Sequence, residues 1–200
     1  MNLKCVPYGP LASNMYFLNT RSGSFIVDPS VDPDRLSKEQ IPEKIDAILV
    51  THAHFDHINA VDKWHELFPS APIYVSSKDI EAFTNPMANG SMFFAEKCTY
   101  KAKVSDIAEL KLDNLKVIET PGHSKGSVCL LFDEGEEKVM FTGDTLFAGS
   151  AGRTDLWGGS GKELKESFGK LKELDPDIMV FPGHGPSSTI GEELEVNPFF

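Results

Sequence analysis

Thr51-His52-Ala53-His54-Phe55-Asp56-His57 places four metal-ligand side chains within six residues, directly after the apolar run Ile45 to Val50. Imidazoles and carboxylates are the ligand set that borderline-soft divalent cations accept. Alternation along an extended segment puts His52 and His54 on one side. Asp56 and His57 follow where the chain turns into the helical pattern Ile58, Val61, Trp64, His65 and Phe68. A buried strand that delivers a ligand cluster and then becomes a helix predicts mixed α/β architecture, and one such segment can serve two adjacent ions.

Upstream, Leu3 to Pro7, Asn14 to Asn19 and Ser24 to Val27 have strand character and are separated by turn signals at Gly9-Pro10 and Arg21-Ser22-Gly23, which predicts an antiparallel meander. Asp28-Pro29-Ser30 ends the third run, and Pro33 to Gln40 reads as a short helix capped by Asp32. Downstream, Ile58 to Leu67 reads as one amphipathic helix stopped at Phe68-Pro69, Ala71 to Val75 as a strand, and Ser76 to Asp79 as a helix start. Residues 85–98 follow neither period; such a loop either lines a substrate entrance or is packed by its own Phe and Met side chains. Strand character resumes at Leu115 to Glu119, Ser127 to Phe132 and Lys138 to Thr142, with a hairpin turn at Asp133-Glu134-Gly135. A Gly-rich loop from Gly149 to Gly161, a helix from Lys162 to Leu174, a strand from Ile178 to Phe181 and a short helix from Gly191 to Val196 follow.

With 200 residues, no linker-like stretch and no short repeat, residues 1–200 are expected to form a single domain. A chain of that size builds a core without metal, so the ligands point to chemistry rather than scaffolding. Hydrophobic residues make up 40% of the chain, yet no apolar run approaches a membrane span, and the N-terminal residues lack a signal-peptide pattern. A cytoplasmic protein with no membrane partner is expected. The formal charge of −11, from 30 acidic against 19 basic residues, argues against nucleic acid, whose phosphates need clustered Lys and Arg, and in favour of a small-molecule substrate. Three widely spaced cysteines read as thiols, and Cys5 and Cys129 are expected to be small buried side chains within strands.

Three more ligand candidates follow strand ends: His123 in Thr120-Pro121-Gly122-His123-Ser124, Asp144 in Phe141-Thr142-Gly143-Asp144-Thr145, and His184 in Phe181-Pro182-Gly183-His184-Gly185. His52 bears the same relation to Val50. Five of the six histidines fall in this set, a selection that scattered histidines would not show. His65, within a helix beside Trp64, reads as structural. The glycine before each downstream candidate is expected to let the backbone turn sharply. Seven ligands exceed what one tetrahedral ion takes and suit two ions sharing a carboxylate. The natural division is His52, His54 and His123 for one ion, Asp56, His57 and His184 for the other, and Asp144 as the bridge. The expected cofactor is a pair of divalent metal ions, zinc in first place, with iron or manganese as alternatives.

The His-x-His-x-Asp-His segment, together with Pro121-Gly122-His123, Gly143-Asp144-Thr145-Leu146-Phe147 and Pro182-Gly183-His184-Gly185, resembles the metallo-β-lactamase superfamily over nearly the whole chain. The resemblance implies a four-layer αββα sandwich, with two mixed sheets face to face and helices outside, and the same division of ligands. Gly143 to Arg153 and Asn197-Pro198-Phe199 resemble the hydroxyacylglutathione hydrolases (glyoxalase II), short bacterial members in particular. This second resemblance makes Arg153 a contact to the thiol-carrier part of the substrate. The residues themselves leave open an Arg153 paired with Asp155.

Two cations sharing a water lower its pKa from about 15.7 toward 7 and polarise a carbonyl, so hydrolysis is the expected reaction. Asp56 is both a ligand and the group best placed to orient the nucleophile's proton, which makes it the expected catalytic residue. Every other strongly placed titratable group is taken by metal, leaving no acid for the leaving group. A thiolate, with a pKa near about 8.5, departs without one. The expected substrate is a hydroxyacylglutathione-like thioester, with another ester or a lactone as alternatives. Gly152-Arg153-Thr154-Asp155 also resembles the persulfide dioxygenases, which share the implied fold and use a single iron; the complete second ligand set favours hydrolysis.

Overall fold

Strands β1 (Asn2–Tyr8), β2 (Ser13–Thr20) and β3 (Gly23–Val27) pair antiparallel as the expected meander. Alternation along β2 divides its side chains between two cores, Tyr16 and Leu18 on one face and Met15 and Phe17 on the other. The structure is a computed structural model that describes residues 1–94 and 97–200. Residues 95 and 96 of the loop expected over 85–98 lie outside the described residues.

Three parallel strands, β4 (Ala47–Leu49), β5 (Ile73–Val75) and β6 (Val104–Asp106), extend the first sheet in the order β1 to β6. In the second sheet β7 (Leu115–Glu119), β8 (Val128–Asp133) and β9 (Lys138–Gly143) pair antiparallel. The short hairpin of β10 (Leu146–Phe147) and β11 (Ser150–Ala151) lies outside both sheets. Strand β12 (Met179–Pro182) then adds parallel to β9, and β13 (Ser188–Thr189) closes the edge antiparallel.

Tyr16, Leu18, Phe25 and Leu49 of the first sheet meet Leu130, Phe132 and Phe141 of the second in the core between the sheets. Outside the first sheet, Phe17, Ile26 and Ile48 pack on Val61 and Trp64 of α2 (Val61–Leu67). Outside the second, Leu131 and Met140 pack on Leu164, Phe168 and Leu171 of α3 (Gly161–Leu171). The four layers are the αββα sandwich that the resemblance implies. Ser160 caps α3 through its side chain, and Thr189 and Glu192 form a reciprocal capping box at the start of α4 (Ile190–Val196). Among the described residues no helix is long and apolar enough to cross a membrane.

Several expectations need correction. The helix expected over Ile58 to Leu67 is interrupted: α1 (Phe55–Ile58) ends at once, and α2 restarts after Ala60, whose N–H donates 2.9 Å to Pro29 O. Asp56 and His57 therefore lie inside α1. Pro33 to Gln40 forms two 3₁₀ turns, Pro33–Arg35 and Lys38–Gln40, and the helix opening near Ser76 is the 3₁₀ segment Ser77–Phe83. Cys129 is buried, but Cys5 is exposed, because β1 is an edge strand with little packed over that face. Strands β6, β10, β11 and β13, of two or three residues each, are too short to show a period.

Candidate metal centre

In the second sheet β7, β9 and β12 run the same way, and the C-terminal end of β4 in the first sheet meets theirs at one rim of the sandwich. His52, His123, Asp144 and His184 leave the sheets there, while α1 turns Asp56 and His57 back onto the same rim. The two sheets are tied together at this edge, Val128 N donating 2.9 Å to Thr51 O. The glycines act in two ways. Gly122 and Gly143 take positive φ values of 144° and 48°, as expected, and also leave no room for a Cβ, whereas Gly183 has no positive φ and is needed for space alone: a Cβ there would sit 2.2 Å from Asp144 Oδ1.

All seven expected ligands converge. His52, His54 and His123 offer ring nitrogens within 4.8 Å of one another, and so do the ligand atoms of Asp56, His57 and His184. Asp144 lies between the groups: Oδ2 is 3.4 Å from both His123 Nε2 and His184 Nε2, and Oδ1 is 3.3 Å from His57 Nε2. His65 stays outside, half-buried on α2.

The far sides of three of the rings are held. His57 Nδ1 donates 3.0 Å to Asp28 Oδ2, His123 Nδ1 donates 2.8 Å to Arg153 O, and His184 Nδ1 donates 2.8 Å to Leu11 O. Each bond leaves Nε2 free for the cluster and fixes its orientation. Asp28 and Asp79 were missed in the sequence. Asp28, buried and at φ 53°, also accepts from Thr51 N at 2.8 Å and Thr51 Oγ1 at 2.7 Å. It lies close to His52 and His57, but its oxygens are occupied by these donors, so it orients rather than ligates. Asp79, also buried, accepts from Ala53 N at 3.2 Å, Ser124 Oγ at 2.7 Å and Gly126 N at 2.8 Å, which joins the loop of His52 and His54 to that of His123. The signal for Asp28 was its place just past a strand end, shared with the ligands; Asp79 gave none beyond a plausible helix start.

The cluster is built for cations. His52 Nε2 and Asp144 Oδ1 are buried with no hydrogen-bond partner. His54 Nδ1 faces His123 Nε2 at 2.8 Å, and His57 Nε2 faces His184 Nε2 at 3.3 Å, each a pair of nitrogens that share one proton at most unless a cation lies between them. Buried polar atoms left this way are rare and call for a ligand. Burial drives His52 well below its ordinary pKa and His54 down to about 3. Burial opposes the proton on His57 and His184 too, but the carboxylates of Asp144 and Asp56 outweigh it, holding His57 well above its ordinary value and His184 near about 10. Asp144, despite burial, is held well below the usual carboxylate range by His57 and His184. One triad is thus neutral and ready to ligate, and the other holds protons where a cation would replace them. The residues fit two metal ions, with His52, His54 and His123 to hold one, Asp56, His57 and His184 the other, and Asp144 between.

The family model of the metallo-beta-lactamase superfamily matches residues 8–184. The chain belongs to this superfamily. Among solved members, the BLEG-1 B3 metallo-beta-lactamase is 37% identical with a TM-score of 0.87, covering 99% of each chain. TTHA1623, solved in a di-iron-bound form, is 35% identical with a TM-score of 0.86, over 98% of this chain and 100% of that one. Hydroxyacylglutathione hydrolase GloC of Haemophilus influenzae is 30% identical over 100% of this chain and 98% of its own length. The superfamily fold and its paired His and Asp clusters make the protein a metallo-hydrolase of this group.

A cleft of about 590 Å³ opens onto the superfamily centre, with His54, Asp56, Asp144 and His184 on its floor. Arg153 and Asp155 border it and form a two-bond ion pair, Nε to Oδ1 at 2.6 Å and Nη2 to Oδ2 at 2.7 Å. Of the two roles open to Arg153, the structure displays the pairing, while its backbone carbonyl orients His123.

Proposed function

We propose that the protein is a dinuclear metal-dependent hydrolase of thioesters. The observation that carries this reading is the employment of the cleft's titratable groups. His54, Asp56, His123, Asp144 and His184 belong to the ligand clusters, and the remaining two, Arg153 and Asp155, are bound to each other. No side chain lining the cleft among the described residues is left to protonate a leaving group, so the reaction favours one that departs as an anion. A thiolate does so more readily than an alkoxide or an amine. The identity to hydroxyacylglutathione hydrolase GloC supports the same choice.

Metal ions held by the two triads would supply an acidified water and a polarised carbonyl. Asp56 presents a carboxylate to the cleft, its Oδ2 3.3 Å from His184 Nε2 and 3.7 Å from His57 Nε2, where it can accept a hydrogen bond from the attacking water and fix its direction. Asp144 keeps the two triads at fixed separation. Asp28, Leu11 O and Arg153 O hold the imidazoles so that no reorganisation is needed as charge develops. Arg153 meets the substrate as half of an ion pair at the rim.

The test compares a thioester, an alkyl oxyester and an amide of one acyl group with the metal-loaded protein. Without a general acid, worth about 10²–10⁴ in rate, the thioester should be hydrolysed at least roughly a hundredfold faster than the other two. Equal rates for oxyester and thioester, or a content of one iron per chain, would reject the reading.

A further inference from the structure

We infer that Phe55, Phe93 and Phe94 form the specificity-determining wall of the cleft and select an uncharged aliphatic or aryl group attached beside the scissile carbonyl; in naming a substrate class, this rests on the thioester reading. Phe93 is 64% exposed and Phe94 46%, and both line the cleft that contains Asp144 and His184. Phe94 packs against Phe55 with ring centroids 4.6 Å apart and planes tilted by 49°, and Phe55 sits in the chain between His54 and Asp56. The wall therefore begins one residue from the reacting centre.

These rings are not what holds their loop in place. Asn89 and Ser91, both fully buried, do that: Asn89 Nδ2 donates to Ala82 O at 2.8 Å and Cys98 O at 3.0 Å, its Oδ1 accepts from Ser91 N at 3.0 Å, and Ser91 Oγ accepts from Cys98 N at 2.9 Å. Asn89 O also accepts 2.9 Å from Phe55 N, and the loop backbone at Gly90 lies beside the His54 ring, where a Cβ would make ordinary contact at 3.9 Å from Cδ2. A phenyl ring left largely in water by a loop that polar groups already anchor has apolar area to offer a ligand.

The only Lys or Arg lining the cleft among the described residues is Arg153, and Asp155 compensates it. An anionic carrier would meet a mutually compensated ion pair and exposed phenyl rings along the cleft, on a chain of net charge −11. The geometry selects area rather than charge. The apolar group could enter from the acyl side or from the thiol side, and substrate series varying one side at a time separate the two.

The experiment uses the metal-loaded protein with N-acetylcysteamine thioesters of acetyl, butyryl, hexanoyl and phenylacetyl groups, and with acetyl thioesters of methyl, butyl and hexyl thiols. In one series kcat/KM should rise roughly fourfold per methylene. The ratio of the longest to the shortest substrate should fall toward one in Phe93→Ala, and S-lactoylglutathione should be a poorer substrate than the apolar thioesters. A flat response in both series, a slope that survives in Phe93→Ala, or a preference for S-lactoylglutathione would overturn the inference. The p-nitrophenyl esters of the same acyl groups separate the two readings: cleavage of these esters with the same length dependence, but of no thioester, rejects thioester hydrolysis and keeps the wall. Thioester cleavage without length dependence does the reverse. Independently of turnover, calorimetry should find S-hexyl-N-acetylcysteamine bound at least about tenfold more tightly than the S-methyl compound; equal affinities would sink the wall.

Discussion

Replacing Gly183 with alanine would put a methyl group into the metal centre. The new Cβ would lie 2.2 Å from Asp144 Oδ1 and 2.6 Å from His57 Cε1, where ordinary contact begins at 3.4 Å. The carboxylate would have to retreat by about 1.2 Å, and His57, pinned on its far side by Asp28, has little room to move. Sites of this kind tolerate displacements of about 0.5 Å. Overpacking a buried position costs roughly 1–3 kcal/mol, and a misplacement of about 1 Å costs on the order of a hundredfold in rate. Gly183→Ala should therefore fold with a lowered Tm, bind less than the full complement of metal and lose at least roughly a hundredfold in kcat. Gly185→Ala is the control: its Cβ meets nothing within 4 Å, but its φ of +79° is strained for alanine. That variant should lose about 1–2 kcal/mol of stability while keeping its metal. Metal content by elemental analysis, Tm by calorimetry and kcat on the preferred thioester decide the matter. Full metal and near-normal kcat in Gly183→Ala would show that Asp144 is not held where the structure puts it.

Asp28→Asn keeps a residue type that accepts positive φ but presents an amide to the three donors now shared by a carboxylate, and metal affinity should fall roughly 10–100-fold in a chelator competition. Unchanged affinity would remove Asp28 from the role of orienting His57. Asp144→Ala, which deletes the group between the triads, should reduce turnover by orders of magnitude, while His65→Ala on α2 should leave it close to wild type; similar losses in the two would mean the site is misassigned. Metal-free protein should lose stability as pH rises from 6.5 through about 10. The folded His184 keeps a proton over that window which the unfolded chain releases, and His57 shifts the same way, whereas His52 and His54 are neutral in the folded state and offset the slope only near 6.5, where the unfolded imidazoles are still partly protonated. Metal-loaded protein should lack this slope in Tm, because the cations replace those protons. A metal-free Tm that is flat or rises across the window would contradict the electrostatics of the second triad.

The ligands were legible because a rim at strand ends admits only residues that do its chemistry, and five histidines just past apolar runs stand out from any core or surface pattern. The β2 and β8 runs were legible because both faces of each sheet are covered, so strands announce themselves as apolar stretches between turn signals. What failed was local reading of tertiary effects. The break between α1 and α2 is made by Pro29 O, a carbonyl some thirty residues upstream of Ala60 that no helical periodicity registers. Asp79 looks like any acid near a helix start, and only the backbone amides of Ala53 and Gly126, from two distant segments, reveal it as a buried link.

The same difference separates chemistry from substrate choice. Asp28, Asp79 and the carbonyls of Leu11 and Arg153 hold the ligand rings through bonds that reach across both sheets, so the reacting centre is specified by many segments at once. The aromatic wall is anchored by Asn89 and Ser91, and it reaches the centre through Phe55, whose N–H donates to Asn89 O and whose ring packs on Phe94, and through Gly90 beside His54. A loop held by its own polar groups can exchange the exposed side chain at position 93 without moving the segment that carries His54 and Asp56. Strand ends and histidines could therefore point to a metal cluster, whereas residues 85–98 offered no such pattern, and the inferred wall rests on the exposure of Phe93 and the burial of Asn89 together.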